Sequence, residues 1–291
     1  MVRIAFVGLG TMGLPMARNL VAAGYQVVGV DPDAGRLAAL GAGSAETPAE
    51  AAAAADVALL SLPSAEAVEE VVLGARGLAA GASRGFAVVD MSTSPPGLAR
   101  SLAAALATEG ADWLDAPVSG GPRAAEAASL TIMVGGGHEA FERLRPLLER
   151  LGSLVVRVGP AGAGQAAKLC NNLVAGATMA ALAEACALAV REGIEPRVLY
   201  ELLTRSTGDS RVLRMRFPLA GVERDHPASR AYEPLFALDL MAKDLDLVLE
   251  LAEAHGVATP VARAGRASYA EAQKRGLGRH DYSAVYAART P

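Results

Sequence analysis

The sequence predicts an α/β chain: a doubly wound, mostly parallel sheet in its first half, followed by an all-helical second half. Three observations carry this. Short runs rich in Val, Ile and Leu alternate with Ala/Leu-rich segments of helical spacing up to about residue 160, the pattern of βαβ units. Beyond residue 164 the strand signal stops, and from 165 to 191 there is neither proline nor a turn cluster. Composition agrees, because 291 residues suit two domains and 52% hydrophobic residues with a mean hydropathy of +0.29 exclude disorder. Aromatic residues make up only 4%, so the core is expected to be packed from Ala, Val and Leu.

In order, strands are expected at 2–8, 25–31, 56–62, 86–91, 113–115, 130–135 and 154–158, where β-branched and apolar residues run between turn signals. Helical spacing occupies 11–23, 48–55, 65–73, 95–108 and 138–151. Residues 165–191 then predict one long helix of roughly 40 Å, stopped by Gly193. Further helices are expected at 195–204, 238–255 and 260–275, with loops around Thr207-Gly208-Asp209 and Asp225-His226-Pro227. The Gly159-Pro160-Ala161-Gly162 stretch marks the boundary, giving an α/β domain at 1–161 and an all-helical domain at 162–291.

Composition also excludes several classes. Lys plus Arg total 27 against 31 Asp plus Glu, a net charge of −4, which disfavours nucleic acid and anionic lipid as partners. Two cysteines, Cys170 and Cys186, without a paired motif argue against a disulfide framework or a metal site, and both read as small helix-packing residues. The longest uncharged stretch, 169–183, is shorter than the ~18 apolar residues a membrane span needs. After Met1-Val2-Arg3 the apolar run is broken by glycines and Pro15, unlike a signal peptide. A reducing, cytoplasmic setting is therefore expected.

The chemistry begins at Gly8-Leu9-Gly10-Thr11-Met12-Gly13, a G-x-G-x-x-G placed directly after a strand and before a helix. Gly8 suits the tight turn, Gly10 the approach of a pyrophosphate, and Gly13 the packing of helix on strand. The second strand ends in Asp31, 21 residues after Gly10, close to the ~20-residue offset of a ribose-binding acid. A carboxylate there accepts from both ribose hydroxyls and repels a 2′-phosphate, which predicts NAD over NADP. A ligand-free turn and a methyltransferase site remain as alternatives. With strand, glycines, helix and acid in register, a Rossmann-type dinucleotide site is favoured.

Two other matches fail on context. Gly81-Ala82-Ser83-Arg84-Gly85 fits a nucleophile elbow, but its strand comes after the serine rather than before it. The glycines from 159 to 164 resemble a phosphate loop, but Gln165 stands where that motif requires Lys.

Two segments remain as candidate substrate chemistry. Asp115-Ala116-Pro117-Val118-Ser119-Gly120-Gly121 closes a strand, where α/β sheets bind ligands. Ser119 and the N–H groups of Gly120 and Gly121 suit a substrate carboxylate, although the segment is equally readable as a Pro/Gly turn. Gln165, Lys168 and Asn172 stand at i, i+3 and i+7 and share one face of the expected interdomain helix. Such a stripe is often a solvated face. Against that, interdomain clefts are common ligand sites, and few other groups nearby can transfer a proton. The four histidines fall at helix ends, turns or the tail, where capping or solvation accounts for them.

Taken in order, the motifs at residues 6–17, Asp90-Met91-Ser92-Thr93-Ser94-Pro95, Asp115 to Gly121, Gly162 to Asn172 and Lys243-Asp244-Leu245 resemble the 3-hydroxyisobutyrate dehydrogenase group of β-hydroxyacid dehydrogenases. The resemblance spans essentially the whole chain. It departs at Pro122, which follows the double glycine, and at Ala128 and Ser129, where the family often has Gly-Thr. It implies hydride transfer between NAD and the C3 hydroxyl of a small β-hydroxy acid, with Lys168 as general acid/base and Asn172 positioning the substrate. Ser119, Gly120 and Gly121 would bind the substrate carboxylate. Thr93 and Lys243 would contact the nicotinamide half, and Leu62 and Pro63 would line the cofactor site with Gly8, Leu9, Gly10, Thr11, Met12, Gly13 and Asp31.

An ordinary Lys titrates near ~10.4, so work as a base near neutral pH needs its pKa lowered by about 3, or about 4 kcal/mol, through desolvation and nearby positive charge. Tartronate semialdehyde reduction is the rival within this chemistry. A non-catalytic dinucleotide sensor is the rival outside it, disfavoured because a sensor has no use for the proton donor Lys168. The apolar, Ala-rich second domain further predicts a homodimer or homotetramer.

Overall fold

The central strands are apolar on both faces because helices cover both sides of the sheet. The computed structural model describes residues 2–289, so the ends of the expected domains, Met1, Thr290 and Pro291, lie outside the described residues. The chain forms two units, Met1–Lys168 and Leu169–Pro291, the first of which runs on past the expected boundary at 161.

The first unit contains β1 (Arg3–Val7), α1 (Gly13–Ala22), β2 (Gln26–Val30), α2 (Ala34–Leu40), β3 (Gly43–Ser44), α3 (Pro48–Ala53) and β4 (Val57–Leu60). It continues with α4 (Ala65–Leu73), α5 (Leu78–Gly81), β5 (Ala87–Asp90), α6 (Pro96–Thr108), β6 (Asp112–Asp115), β7 (Val118–Ser119) and α7 (Gly121–Glu126). Then come β8 (Leu130–Gly136), α8 (His138–Leu148), β9 (Gly152–Gly159) and the start of α9 (Ala163–Arg191). The strand order is β3-β2-β1-β4-β5-β6-β8-β7, with β9 beside β8. β1 to β6 pair in parallel, and β8 runs antiparallel to β6 and β7.

Side chains alternate across this sheet with the period of two that a pleated strand imposes. Ile4, Phe6, Val57, Leu59 and Val89 enter one core, and Ala5, Val7, Ala58, Leu60 and Val88 enter the other. The chain leaves β1 toward β2 on one side and returns to β4 on the other, so the strand order reverses at β1 and β4. In such sheets the crevice beyond the strands' carboxyl ends at this reversal is the ligand site.

The second unit is helical: the rest of α9, then α10 (Pro196–Leu203), α11 (Arg211–Arg216), α12 (Leu238–Ala254) and α13 (Pro260–Lys274), with 3-10 turns at Pro227–Arg230 and Tyr282–Ala288. Met179 and Ala183 of α9 pack with Met241 and Leu245 of α12 and Tyr269 of α13. Gly176 makes that approach possible, since a Cβ there would lie 3.0 Å from Met241 Sδ. The buried ion pair of Arg216 with Asp281 closes the unit, and Asp281 also accepts from the Leu235, Phe236 and Ser283 amides.

Three expectations need correction. α9 is long and apolar enough to cross a membrane by length and composition, although its longest uncharged stretch is too short. Within the second unit its apolar side is spent on packing, with Leu182, Cys186 and Ala189 in a helical core. Cys170 is exposed, so it is no core-packing residue, whereas Cys186 is buried, and burial pushes its thiol up to about 12. Finally, the short elements β3, β7, α2, α5, α7 and α11 are too brief to leave a periodic signal.

Candidate active site

The turn after β1 is fixed by close backbone contact at two of its glycines. Gly8 has φ +89°, donates its N–H to Val30 O at 2.9 Å, and would place a Cβ 2.4 Å from Ser61 O. A Cβ on Gly13 would lie 1.9 Å from Gly8 O. At Gly10 a Cβ meets nothing within 4 Å, so the middle of the turn is open where its ends are locked. This is the arrangement the pyrophosphate of a dinucleotide needs, backed by the N-terminal amides of α1.

Asp31 follows β2 and its carboxylate is nearly buried. It accepts from Leu9 N at 2.7 Å and Asp33 N at 2.9 Å, and Arg36 lies 3.6 Å away. The acid therefore holds the glycine turn. Thr11 and Met12 complete the turn, with Met12 as the N-cap of α1. Leu62 follows β4 and donates its N–H to Ser92 Oγ at 2.9 Å, and Pro63 beside it is exposed.

The ends of β5 and β6 carry the next layer. Asp90 is fully buried and accepts from Ser92 N at 2.9 Å. Burial pushes its carboxyl up to about 6, against the opposing bonds from Ser92 and with a further push from Asp115. Thr93 is half-buried between the buried Ser92 and Ser94. Asp115 is raised by burial too, opposed by amides that point at it. These include Gly162 N at 2.7 Å and Gln165 N at 2.9 Å, where α9 begins. Gly164 permits the approach, since a Cβ would meet Asp115 O and Met133 O at 2.5 Å. Glycines that resembled a phosphate loop thus seat a helix on a carboxylate, which is the favourable charge for a helix N-terminus.

Ser119 closes β7 opposite Thr131, and Gly120 follows with φ +138°. A Cβ at Gly120 would lie 2.5 Å from Ala124 Cβ, so that position requires glycine, and the φ of +72° at Gly121 favours it. All three residues remain partly exposed.

Lys168 is only 7% exposed, so the stripe on α9 is no solvated face. The stripe is divided in its roles. Gln165 is wholly buried and bonded to backbone around Thr93, through Ser94 N at 3.1 Å and Ser92 O at 3.0 Å. In the second unit, Asn172 is 4% exposed and donates Nδ2 to Asp244 Oδ2 at 2.5 Å, while its Oδ1 accepts from Asn171 at 3.0 Å. The other oxygen of Asp244 stands at ion-pair distance, 3.4 Å, from Lys243 Nζ. Asp244 therefore joins Asn172 to Lys243, a link the sequence did not indicate because the residues are 72 apart. Asp90, Asp115 and Asp244 were visible only as letters of motifs. Among the described residues no cluster of His, Cys, Asp or Glu is arranged to hold a metal ion.

A mostly parallel sheet with this turn at its reversal point and an acid on the turn defines a dinucleotide-binding fold. Residues 3–159 match the family model described as the NAD binding domain of 6-phosphogluconate dehydrogenase, and residues 162–288 that described as NAD-binding of NADP-dependent 3-hydroxyisobutyrate dehydrogenase. The chain is 43% identical to the NAD-dependent L-serine dehydrogenase of Pseudomonas aeruginosa over 98% of its own length and 97% of the relative's. It is 40% identical, over the same shares, to a 3-hydroxyisobutyrate dehydrogenase of that organism. The solved structure of Mycobacterium tuberculosis 3-hydroxyisobutyrate dehydrogenase with L-serine superimposes with a TM-score of 0.93 at 37% identity, covering 100% of both chains. The chain belongs to the 3-hydroxyisobutyrate dehydrogenase family and is an NAD-dependent hydroxyacid dehydrogenase.

Proposed function

We propose that the chain oxidises the C3 hydroxyl of a small β-hydroxy acid of the 3-hydroxyisobutyrate type, with Lys168 as the general acid/base. The observation that carries this reading is the withdrawal of Lys168 from solvent one helical turn after a helix start anchored to the ends of β5 and β6. Ser119 on β7 and Thr93 after β5 belong to the same unit. The open flank of Gly10 between the locked Gly8 and Gly13 supports NAD as the resident cofactor, held by the turn from Gly8 to Gly13, by Asp31, and by Leu62 and Pro63. NAD, held there, would supply the hydride acceptor for the carbinol carbon.

Lys168 takes the hydroxyl proton in oxidation and returns it in reduction. Ser119 and the N–H groups of Gly120 and Gly121 receive the substrate carboxylate. Asn172 has one amide hydrogen committed to Asp244 and presents the other to the substrate. Thr93 and Lys243 contact the nicotinamide half. Asp31, nearly buried and already accepting two amides, disfavours a 2′-phosphate and sets a preference for NAD, which Arg36 beside it only partly offsets. Exposed Val174, Leu188, Val198 and Leu202 support assembly as a homodimer or homotetramer.

L-Serine is the second reading for the substrate. It is a β-hydroxy acid of similar size and is named with two of the relatives above. Absorbance of NADH or NADPH with 3-hydroxyisobutyrate, L-serine, glycerate, 3-hydroxypropionate and 4-hydroxybutyrate tests both. Turnover with NAD on a 3-hydroxy acid is expected. Turnover confined to 4-hydroxybutyrate, or a strong NADP preference, overturns the substrate reading or the role of Asp31 respectively.

A further inference from the structure

We infer that Gln165 is a positioning residue, tying the turn of α9 that carries Lys168 to the backbone on both sides of Thr93. The inference rests on the roles proposed above for Lys168 and Thr93. Gln165 is anchored twice. Its own N–H donates to Asp115 at the end of β6, at 2.9 Å. Its side chain reaches the segment after β5, where Oε1 accepts the Ser94 N–H at 3.1 Å and Nε2 donates to Ser92 O at 3.0 Å. The remaining amide hydrogen points toward Asp90 Oδ2, 3.4 Å away.

The two backbone groups that Gln165 occupies flank a single residue, Thr93. The carboxamide pairs with this segment much as a neighbouring strand would, fixing the peptide planes on either side of Thr93 while leaving Thr93 itself partly exposed. Lys168 stands three residues along the same helix face. One buried side chain thus sets the separation between the residue that moves the proton and the residue that meets the nicotinamide half.

The chemistry demands this residue type. Of the side chains of this length, only glutamine offers one acceptor and one donor side by side. Glutamate would lose the donor to Ser92 O and face Asp90 with a second carboxylate. Leucine would leave the Ser94 N–H and Ser92 C=O buried without partners. Gln165 touches neither reacting atom, so its effect has to pass through Thr93 and Lys168.

The test compares Gln165→Leu and Gln165→Glu with Leu144→Ala, a core truncation on α8 that destabilises the same unit without touching this segment. Amide exchange at Ser94 in the ligand-free protein is expected to accelerate in Gln165→Leu, which loses the acceptor, while the β1 amides stay protected. The kcat on the best β-hydroxy acid is expected to fall about 10- to 100-fold with KM little changed, whereas Leu144→Ala lowers Tm and keeps kcat. Thr93→Ala is expected to cost much less in the Gln165→Leu background than alone, because the two act in series. The inference is overturned if a folded Gln165 variant keeps wild-type kcat, if its loss of kcat follows Tm as in Leu144→Ala, or if its effect and that of Thr93→Ala simply multiply. Absence of wild-type turnover on every acid would instead overturn the function proposed above, and this inference with it.

Discussion

The two units hold their polar residues by different means. In the first, carboxylates at strand ends bind backbone amides: Asp31 takes Leu9 N, Asp90 takes Ser92 N, and Asp115 takes Gly162 N and Gln165 N. In the second, side-chain partners are added: Asn172 pairs with Asp244, and Asp281 takes Arg216 besides the Leu235, Phe236 and Ser283 amides. Backbone amides sit where the fold puts them, so the first arrangement depends on glycine spacing and strand ends, which are local in sequence. The second depends on pairs 72 and 65 residues apart, which only packing brings together.

This contrast can be broken from either side. The largest effect is expected for Lys168→Ala, which should lower kcat by about 10²- to 10⁴-fold while NADH binding, followed by fluorescence, survives. Near-wild-type turnover would remove Lys168 from the chemistry and leave the backbone-held unit as a binding module. Next, Arg216→Ala should destabilise the second unit by about 3–5 kcal/mol, because it strands the buried Asp281. Urea unfolding that changes by less than about 1 kcal/mol would show that the three backbone amides on Asp281 suffice without the guanidinium.

A third test concerns Asp90, whose carboxyl is raised to about 6 by burial. The folded chain binds this proton more tightly than the unfolded chain does, so the group's contribution is most favourable below about pH 4. It falls as pH rises to about 6 and stays unfavourable above, by about 3 kcal/mol. Asp115, shifted in the same direction, adds to this trend. Asp90→Asn should therefore shrink the difference in stability between pH 4.5 and pH 7 measured by urea unfolding. An unchanged difference would mean that the amides around Asp90 fully offset its burial.

The smallest effect is at Ala128, which adopts φ +52° in the turn before β8, a left-handed conformation that costs a residue with a Cβ about 1 kcal/mol. Ala128→Gly is expected to raise Tm by a few degrees without altering kcat, and a lower Tm would show that the methyl group's packing outweighs the strain. The same position is where the sequence departs from the family's frequent glycine, so the departure is a backbone matter before it is a substrate matter.

Much of the fold was legible without coordinates. β1, β4 and β5 were found because strands buried on both faces are continuous apolar runs, and α9 because 27 residues without proline leave little alternative. The turn from Gly8 to Gly13 and Asp31 were legible because their geometry is imposed by immediate neighbours. Less legible was the division of the polar stripe on α9. Equal spacing put Gln165, Lys168 and Asn172 on one face, but it said nothing about what each would meet. Gln165 turned out to serve the backbone around Thr93, and Asn172 a carboxylate from α12.

By itself the sequence determined the longer strands and helices and the dinucleotide turn, since each follows from residues close together in the chain, while the reaction class came from a resemblance spread over motifs from residue 6 to residue 245. The tertiary structure alone decided which carboxylates are buried, which amides they hold, and that Asp244 joins Asn172 to Lys243. The physical reason is that hydrophobic period and glycine spacing act locally, whereas desolvation and hydrogen-bond partnership arise only once distant segments exclude water from each other.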